Sequence, residues 1–343
     1  MIGSIDSEQT RARGLSVLPE LLRTMRPKDW IKNTFVFAAI AFAYDAQGRP
    51  LWLDPQALLA VFSAFLLFCM VASAIYLIND LVDIEKDRAH PKKRNRPLAS
   101  GRLSPRIAVV AAIVLLVVAL PLGFFIDVGS ETLLGRIDFG LALLTYMVVQ
   151  GLLYSYYLKN IVIIDIFTIA SGFVLRAVAG ALVISIVITP WLLVCMGLLA
   201  LFLGLSKRRS ELSLLQAGAG EHRRILAEYS LPMLDQMISI VTAATIMAYT
   251  LFTFTAETLP LEPFPVMMVT VPFVIYAIFR YLYHVHKGDG GGNAAELLIN
   301  DRSLLVCVAL WGMTSVAIMA FASFSGSFVY AIVNSNPYII STE

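Results

Sequence analysis

Charge is scarce in this chain. Asp, Glu, Lys and Arg make up 15% of its 343 residues, where a soluble domain carries about 25%. That is too little to solvate a globule of this size, which argues against the two soluble domains that the length alone would permit. Cysteine is nearly absent too. Cys69, Cys195 and Cys307 each lie inside an apolar run and no C-x-x-C spacing occurs. Neither a disulfide framework nor a thiolate zinc site is indicated, and the thiols read as small apolar packing groups. Histidine offers no ligand cluster: His284 and His286 are spaced onto different faces of a helix and read as surface residues. A cleavable signal peptide is missing as well, because the first apolar stretch, Leu15 to Met25, is broken by Pro19, Glu20 and Arg23.

What the chain has in quantity is apolar length. Hydrophobic residues make up 58% of it, and the mean hydropathy is +0.77. A membrane-crossing helix needs about 20 apolar residues. Nine segments approach or meet that length: Ile31–Tyr44, Pro55–Asn79, Ile107–Ile126, Phe139–Tyr157, Ile161–Ser185, Pro190–Leu205, Leu234–Ala256, Phe264–Tyr283 and Leu304–Ser323. The expected fold class is all-α, a polytopic membrane protein. The fifth and sixth segments form one apolar block, which Thr189-Pro190 should divide, since proline favours a helix start. Leu15, Leu18, Leu22 and Met25 recur at helical spacing beside basic residues, as in a helix lying on a membrane surface.

Basic residues set the orientation. With the N-terminus in the cytoplasm, all of the 26 Lys and Arg except Arg49, Arg136 and Arg176 fall in cytoplasmic segments or their flanking helix ends. That asymmetry implies an odd number of spans and an extracytoplasmic C-terminus. Residues 1–15 are expected to be disordered. Residues 16–335 should form one transmembrane domain with long cytoplasmic loops at about 80–106 and 206–233, and 336–343 an external tail. Gly288–Asn293 reads as a glycine-rich turn in a third cytoplasmic loop.

At the end of the second segment the chain reads Asn79-Asp80-Leu81-Val82-Asp83-Ile84-Glu85-Lys86-Asp87. On a helix Asn79, Asp83 and Asp87 are four residues apart and share a side, with Asp80 on its border. Hard oxygen ligands grouped this way suit Mg²⁺, which binds one or two carboxylates plus substrate phosphate oxygens. The basic run Lys92-Lys93-Arg94-Asn95-Arg96-Pro97 follows at once. Acid-held metal beside a basic loop is what diphosphate binding and departure require. Alone, the acids would be an ordinary charged helix end and the basic loop a contact for anionic lipid.

This motif, with Arg96-Pro97-Leu98 and Gly101, resembles the first signature of the UbiA superfamily of membrane prenyltransferases. The resemblance implies nine helices around a central cavity open to the cytoplasm, and a metal held by Asn79, Asp80, Asp83 and Asp87. The region after the fourth segment, where the family supplies a second acidic pair, reads Tyr154-Ser155-Tyr156-Tyr157-Leu158-Lys159-Asn160 with Asp165 the one acid. Asp165 and Arg176 are three helical turns apart and are expected to line a polar cavity, since ionisable groups within a span are expensive.

Arg26-Pro27-Lys28-Asp29-Trp30-Ile31-Lys32-Asn33, Leu205-Ser206-Lys207-Arg208-Arg209, Arg280-Tyr281-Leu282-Tyr283 and Asp301-Arg302 are similar to the decaprenyl-phosphate phosphoribosyltransferase branch of that family. For that branch the donor is phosphoribosyl pyrophosphate and the acceptor a polyprenyl phosphate. Lys28, Lys32, Asn33, Arg94, Tyr154, Lys159, Arg176, Lys207 and Arg208 are then the expected substrate contacts. Asp83, Asp87 and Asp165 are the expected catalytic acids, with Asp165 orienting rather than accepting a proton. The expected partners are these two substrates and the membrane, with no nucleic acid, and a homo-oligomer is compatible with the sequence. Prenyl transfer to a quinone-type ring is the alternative activity. Transport is a further one, disfavoured because little but Arg176 lies deep in the apolar runs.

Overall fold

Prolines and short polar caps decide where the helices of this protein begin. The structure, a computed structural model, describes residues 17–45, 49–89, 93–126, 133–187, 189–216, 224–256, 258–261, 264–287 and 294–324. The expected N-terminal and C-terminal tails, Lys92 and Gly288–Asn293 therefore lie outside the described residues. Residues 17–25 form helix α1. A 3-10 segment follows over Pro27–Ala38 and Ile40–Phe42. Helix α2 spans Pro55–Val82; Asp54 caps it by accepting the Gln56 N–H at 2.9 Å, and Pro55 opens it. The short α3 (Ile84–Ala89) comes after a break at Asp83, and α4 covers Pro105–Gly123.

Helix α5 (Leu133–Tyr146) runs into a π-helical turn, Met147–Leu153, and a last α-helical turn, Tyr154–Tyr156. Then come α6 (Ile164–Leu182), α7 (Pro190–Gln216), α8 (Leu231–Thr255), α9 (Val271–Lys287), α10 (Ala294–Asn300) and α11 (Arg302–Phe324). The apolar block between α6 and α7 is divided at Pro190, as its proline requires. Among the described residues no β-strand occurs, only a bridge between Tyr44 and Pro50.

Among the described residues, seven helical stretches are long and apolar enough to cross a membrane: Pro55–Val82, Pro105–Gly123, Ile137–Tyr156, Ile164–Leu182, Leu231–Thr255, Val266–Lys287 and Arg302–Ala322. Two of the nine expected spans are not among them. Ile31–Tyr44 is wound largely as 3-10 helix rather than α-helix. Pro190–Leu205 lies within α7, whose helix continues to Gln216, so the first residues of the expected 206–233 loop are helical.

Two apolar clusters share α6. One joins the 3-10 segment, α2, α4 and α5 around Phe68, Phe139 and Leu143. The other joins α6 through α11 around Ile166, Phe202, Leu234 and Ile278. Lipid is as apolar as leucine, so helices inside it are held by close packing and polar contacts more than by hydrophobic burial. Gly180 shows the close packing: a Cβ there would overlap the Val36 carbonyl oxygen, so α6 and the 3-10 segment touch backbone to backbone. Tyr44 donates to the Met319 carbonyl at 3.1 Å, tying the 3-10 end of the bundle to α11.

Candidate functional site

The acidic motif sits where α2 gives way to α3. The i to i−4 hydrogen bonds from Asp83 to Asn79 and from Asp87 to Asp83 persist, at 3.0 and 2.8 Å, but Asp83 departs from helical dihedrals with ψ 10°. Four side chains expected on one side are thereby sorted into two groups. Asp80 and Asp87 turn inward and are buried, whereas Asn79 and Asp83 are partly exposed. Asp83 pairs with Lys86 at 3.3 Å.

Asp80 Oδ1 receives Arg26 Nη2 at 2.7 Å and Arg96 Nη1 at 3.1 Å. The same Arg96 nitrogen reaches Asp87 Oδ2 at 2.8 Å. Two buried carboxylates thus converge on one positively charged atom, and that atom stands where a cation would sit between them. Among the described residues no three acidic, histidine or cysteine side chains form a ready metal cluster. The donor set still fits Mg²⁺, which is normally held by one or two carboxylates and completed by substrate phosphate and water. Arg96 and Arg26 come from the segments flanking the motif, so the basic residues read in the sequence are gathered here in part. Lys32 pairs with Asp29 at 2.7 Å, while Lys28 and Arg94 are exposed.

A second polar cluster joins α6 and α7. Asp165 is fully buried, and its Oδ2 pairs with Arg208 Nε at 2.7 Å. Arg208, itself buried, also pairs with Glu211 at 2.5 Å. Tyr229, from the chain entering α8, donates to Asp165 Oδ1 at 2.8 Å and accepts the Ile163 N–H at 2.6 Å. Burial raises the Tyr229 phenol first, the Ile163 N–H opposes this, and the Asp165 carboxylate adds to the rise, leaving it at about 12 and a proton donor. Ile163 is held at φ 69°, an unfavourable conformation for a β-branched residue, and this cluster fixes it. The Arg208 guanidinium, expected to contact substrate, is held by Asp165 and Glu211 through Nε and Nη1. Lys207, Tyr154 and Lys159 nearby are partly exposed.

Asp165 and Arg176 do not meet, although both lie on α6. Arg176 turns instead toward the 3-10 segment and α5. Its Nε donates to Asn33 Oδ1 at 2.7 Å, Nη1 to the Gly172 carbonyl at 2.7 Å and Nη2 to the Tyr146 hydroxyl at 2.6 Å. The Asn33 amide donates to Cys69 Sγ at 3.2 Å.

Sequence reasoning missed a third cluster, at the α9–α11 end. Asp301 Oδ2 takes Arg280 Nη2 at 2.8 Å and His284 Nε2 at 2.5 Å, while its Oδ1 caps α11 by accepting the Leu304 N–H at 2.8 Å. Nearby, Asp235 takes Arg209 at 2.5 Å and His286 at 3.5 Å. The expectation that His284 is a surface residue is corrected, since its side chain is only 14% exposed. Its four-residue spacing from Arg280, with Asp301 following, was the available signal.

The UbiA prenyltransferase family model matches residues 34–300. Decaprenyl-phosphate phosphoribosyltransferase of Corynebacterium glutamicum is 32% identical over 309 residues, covering 90% of this chain and 89% of that protein. The protein of the same name from Mycolicibacterium smegmatis is 32% identical over 328 residues, covering 93% and 98%. Among solved structures, a UbiA homolog from Archaeoglobus fulgidus bound to DMAPP and Mg²⁺ superposes with a TM-score of 0.62 at 17% identity, covering 88% of this chain and 99% of that one.

Proposed function

The chain belongs to the UbiA prenyltransferase family, and from that membership we propose that it transfers 5-phosphoribose from phosphoribosyl pyrophosphate to a polyprenyl phosphate of the decaprenyl-phosphate type. Diphosphate is released, and the product is a lipid-linked pentose precursor of cell-wall arabinan. The relatives at 32% identity over about nine-tenths of the chain support this substrate pair. The observation that carries the reading is the buried pair Asp80 and Asp87 converging on one cationic nitrogen beside a basic loop. It is the donor set a metal-bound diphosphate needs.

In the reaction the bond from ribose C1 to the diphosphate oxygen breaks, and the diphosphate leaves with the electron pair. A bond forms from C1 to an oxygen of the lipid phosphate. That nucleophile is already an anion near neutral pH, so no strong general base is required. Asp80, Asp83 and Asp87, with Asn79, would hold Mg²⁺, which when bound neutralises charge on the leaving diphosphate. Arg26 and Arg96 hold Asp80 and Asp87 inward. Lys28, Lys32, Arg94, Lys159 and Lys207 supply cationic contacts for the 5-phosphate and diphosphate of the donor, and Tyr154 a polar one. Asp165, held by Arg208 and Tyr229, positions the start of α6.

The architecture we propose has nine crossings around a cavity open to the cytoplasm, in the cytoplasmic membrane, with residues 16–335 as one domain. The N-terminus is cytoplasmic and the C-terminus external. The two further crossings are α7 and the 3-10 segment. At about 2.0 Å per residue, Pro27–Phe42 reaches roughly 30 Å, the thickness of the hydrocarbon layer.

The test is turnover by purified protein in detergent with Mg²⁺, radiolabelled phosphoribosyl pyrophosphate and a polyprenyl phosphate. Labelled lipid is expected. Absence of labelled lipid, with consumption of a prenyl diphosphate in the presence of an aromatic acceptor, would overturn the reading and leave ordinary prenyl transfer. Turnover without a gradient also separates an enzyme from a transporter.

A further inference from the structure

Arg176 is a buried charge without a counter-charge. It is 7% exposed and lies on α6, roughly 18 Å along the helix from its first residue. The other buried or half-buried arginines described above, Arg26, Arg96, Arg208, Arg209 and Arg280, each have a carboxylate partner. Among the described residues Arg176 has none within 4.0 Å; its partners are the amide oxygen of Asn33, a carbonyl and a phenol, all neutral. A guanidinium is always charged, and burying it unpaired is strongly unfavourable. Of its five N–H groups three are used, leaving one on each terminal nitrogen. Two such donors form the fork that matches two oxygens of a phosphate.

The surroundings hold this fork in place. A Cβ at Gly172 would press on the Gln150 amide, 2.9 Å from its Nε2, and touch Arg176 Nη1 at 3.4 Å. The backbone contact at Gly180 locks the 3-10 segment against α6 and so places Asn33 at the guanidinium. The Tyr146 ring lies under the guanidinium, 4.6 Å from it. Tyr76 lies one turn before Asp80 on α2, with Arg26 4.7 Å over its ring and Arg176 within electrostatic range.

We infer that Arg176, with Asn33 and Tyr146, is the subsite for the phosphate of the lipid acceptor. This rests on the phosphoribosyl-transfer reading and deepens it. Displacement at C1 requires the nucleophile to approach from the side opposite the leaving diphosphate. The acidic motif and this unpaired cation are two separate charged centres, one for each of the two phosphate-bearing substrates. The acceptor phosphate supplies the missing counter-charge, so the site is completed by substrate rather than by protein.

The experiment measures binding of farnesyl phosphate, farnesol and phosphoribosyl pyrophosphate to full-length protein in detergent. Arg176→Gln should weaken farnesyl phosphate at least tenfold, leave farnesol unchanged and leave phosphoribosyl pyrophosphate within about twofold. Asn33→Asp offers a second route, since it places a carboxylate beside the guanidinium without removing it. It should cause the same selective loss while thermal stability is kept or raised. Unchanged farnesyl phosphate binding in both variants overturns the inference, as does a loss confined to phosphoribosyl pyrophosphate, which would give Arg176 to the donor. Equal loss of farnesyl phosphate and farnesol would reduce Arg176 to a structural role. If wild-type protein binds no phosphoribosyl pyrophosphate while the selective farnesyl phosphate loss appears, the donor assignment fails and the phosphate subsite stands.

Discussion

Replacing Arg208 with methionine leaves the Asp165 carboxylate with no charge partner in a place water does not reach. Asp165 is 0% exposed, and only the Tyr229 hydroxyl would remain on it. Breaking a buried pair by removing one member costs about 3–5 kcal/mol, because the other charge stays buried. Asp165→Asn should cost less, about 1–3 kcal/mol, since Arg208 keeps Glu211 and the amide still accepts from Tyr229. The double variant Asp165→Asn/Arg208→Met buries neither charge, so its loss should fall short of the sum by about 1–3 kcal/mol. The assay is reversible unfolding in mixed detergent and SDS micelles, followed by tryptophan fluorescence. Additive losses, or a cost below about 1 kcal/mol for Arg208→Met, would refute the reasoning and show that water reaches the pair.

Asp83→Ala and Asp87→Ala should each abolish turnover without unfolding the protein and remove any Mg²⁺-dependent thermal shift; normal turnover in either would remove the metal assignment. Gly180→Ala drives a methyl group into the Val36 carbonyl and should destabilise the protein by about 1–3 kcal/mol, read by the same unfolding assay. Burial alone would raise the Asp301 carboxyl, but hydrogen bonds from Arg280, the Leu304 N–H and His284 outweigh it and hold the group well below the usual carboxylate range. A depressed folded value means the contribution is fully present above the unfolded value of about 4 and is lost as pH falls below it. Asp301→Asn should therefore lower the melting temperature at pH 7, with the gap to wild type narrowing on acidification toward pH 3. A gap constant across that range would contradict the assignment.

The all-helical membrane architecture was legible because it rests on the crudest signal a sequence carries, apolar length between charged ends. The spacing of Asn79, Asp80, Asp83 and Asp87 was equally plain, but their sorting was not. Helical periodicity puts Asn79, Asp83 and Asp87 together, whereas the break at Asp83 and the pull of Arg26 and Arg96 turn Asp80 and Asp87 inward. Asp165 and Arg176 were correctly placed on one helix, yet helix geometry says nothing of which neighbour each meets. Those partners, Tyr229 and Asn33, are 64 and 143 residues away in sequence. Local pattern cannot supply contacts of that range.

The π-helical turn Met147–Leu153 decides how one helix serves two clusters. Tyr146 touches Arg176, and Tyr154 lies within electrostatic range of Arg208. On an unbroken α-helix at about 100° per residue these tyrosines would point roughly 80° apart. A π turn takes up about one extra residue, which cuts the angle to roughly 20° and leaves both rings on one side. The turn acts as a phase corrector, a one-residue insertion absorbed without moving what flanks it. Deleting a single codon there would restore a regular helix with the tyrosines seven residues apart, about 20° from alignment, and so leave them in step.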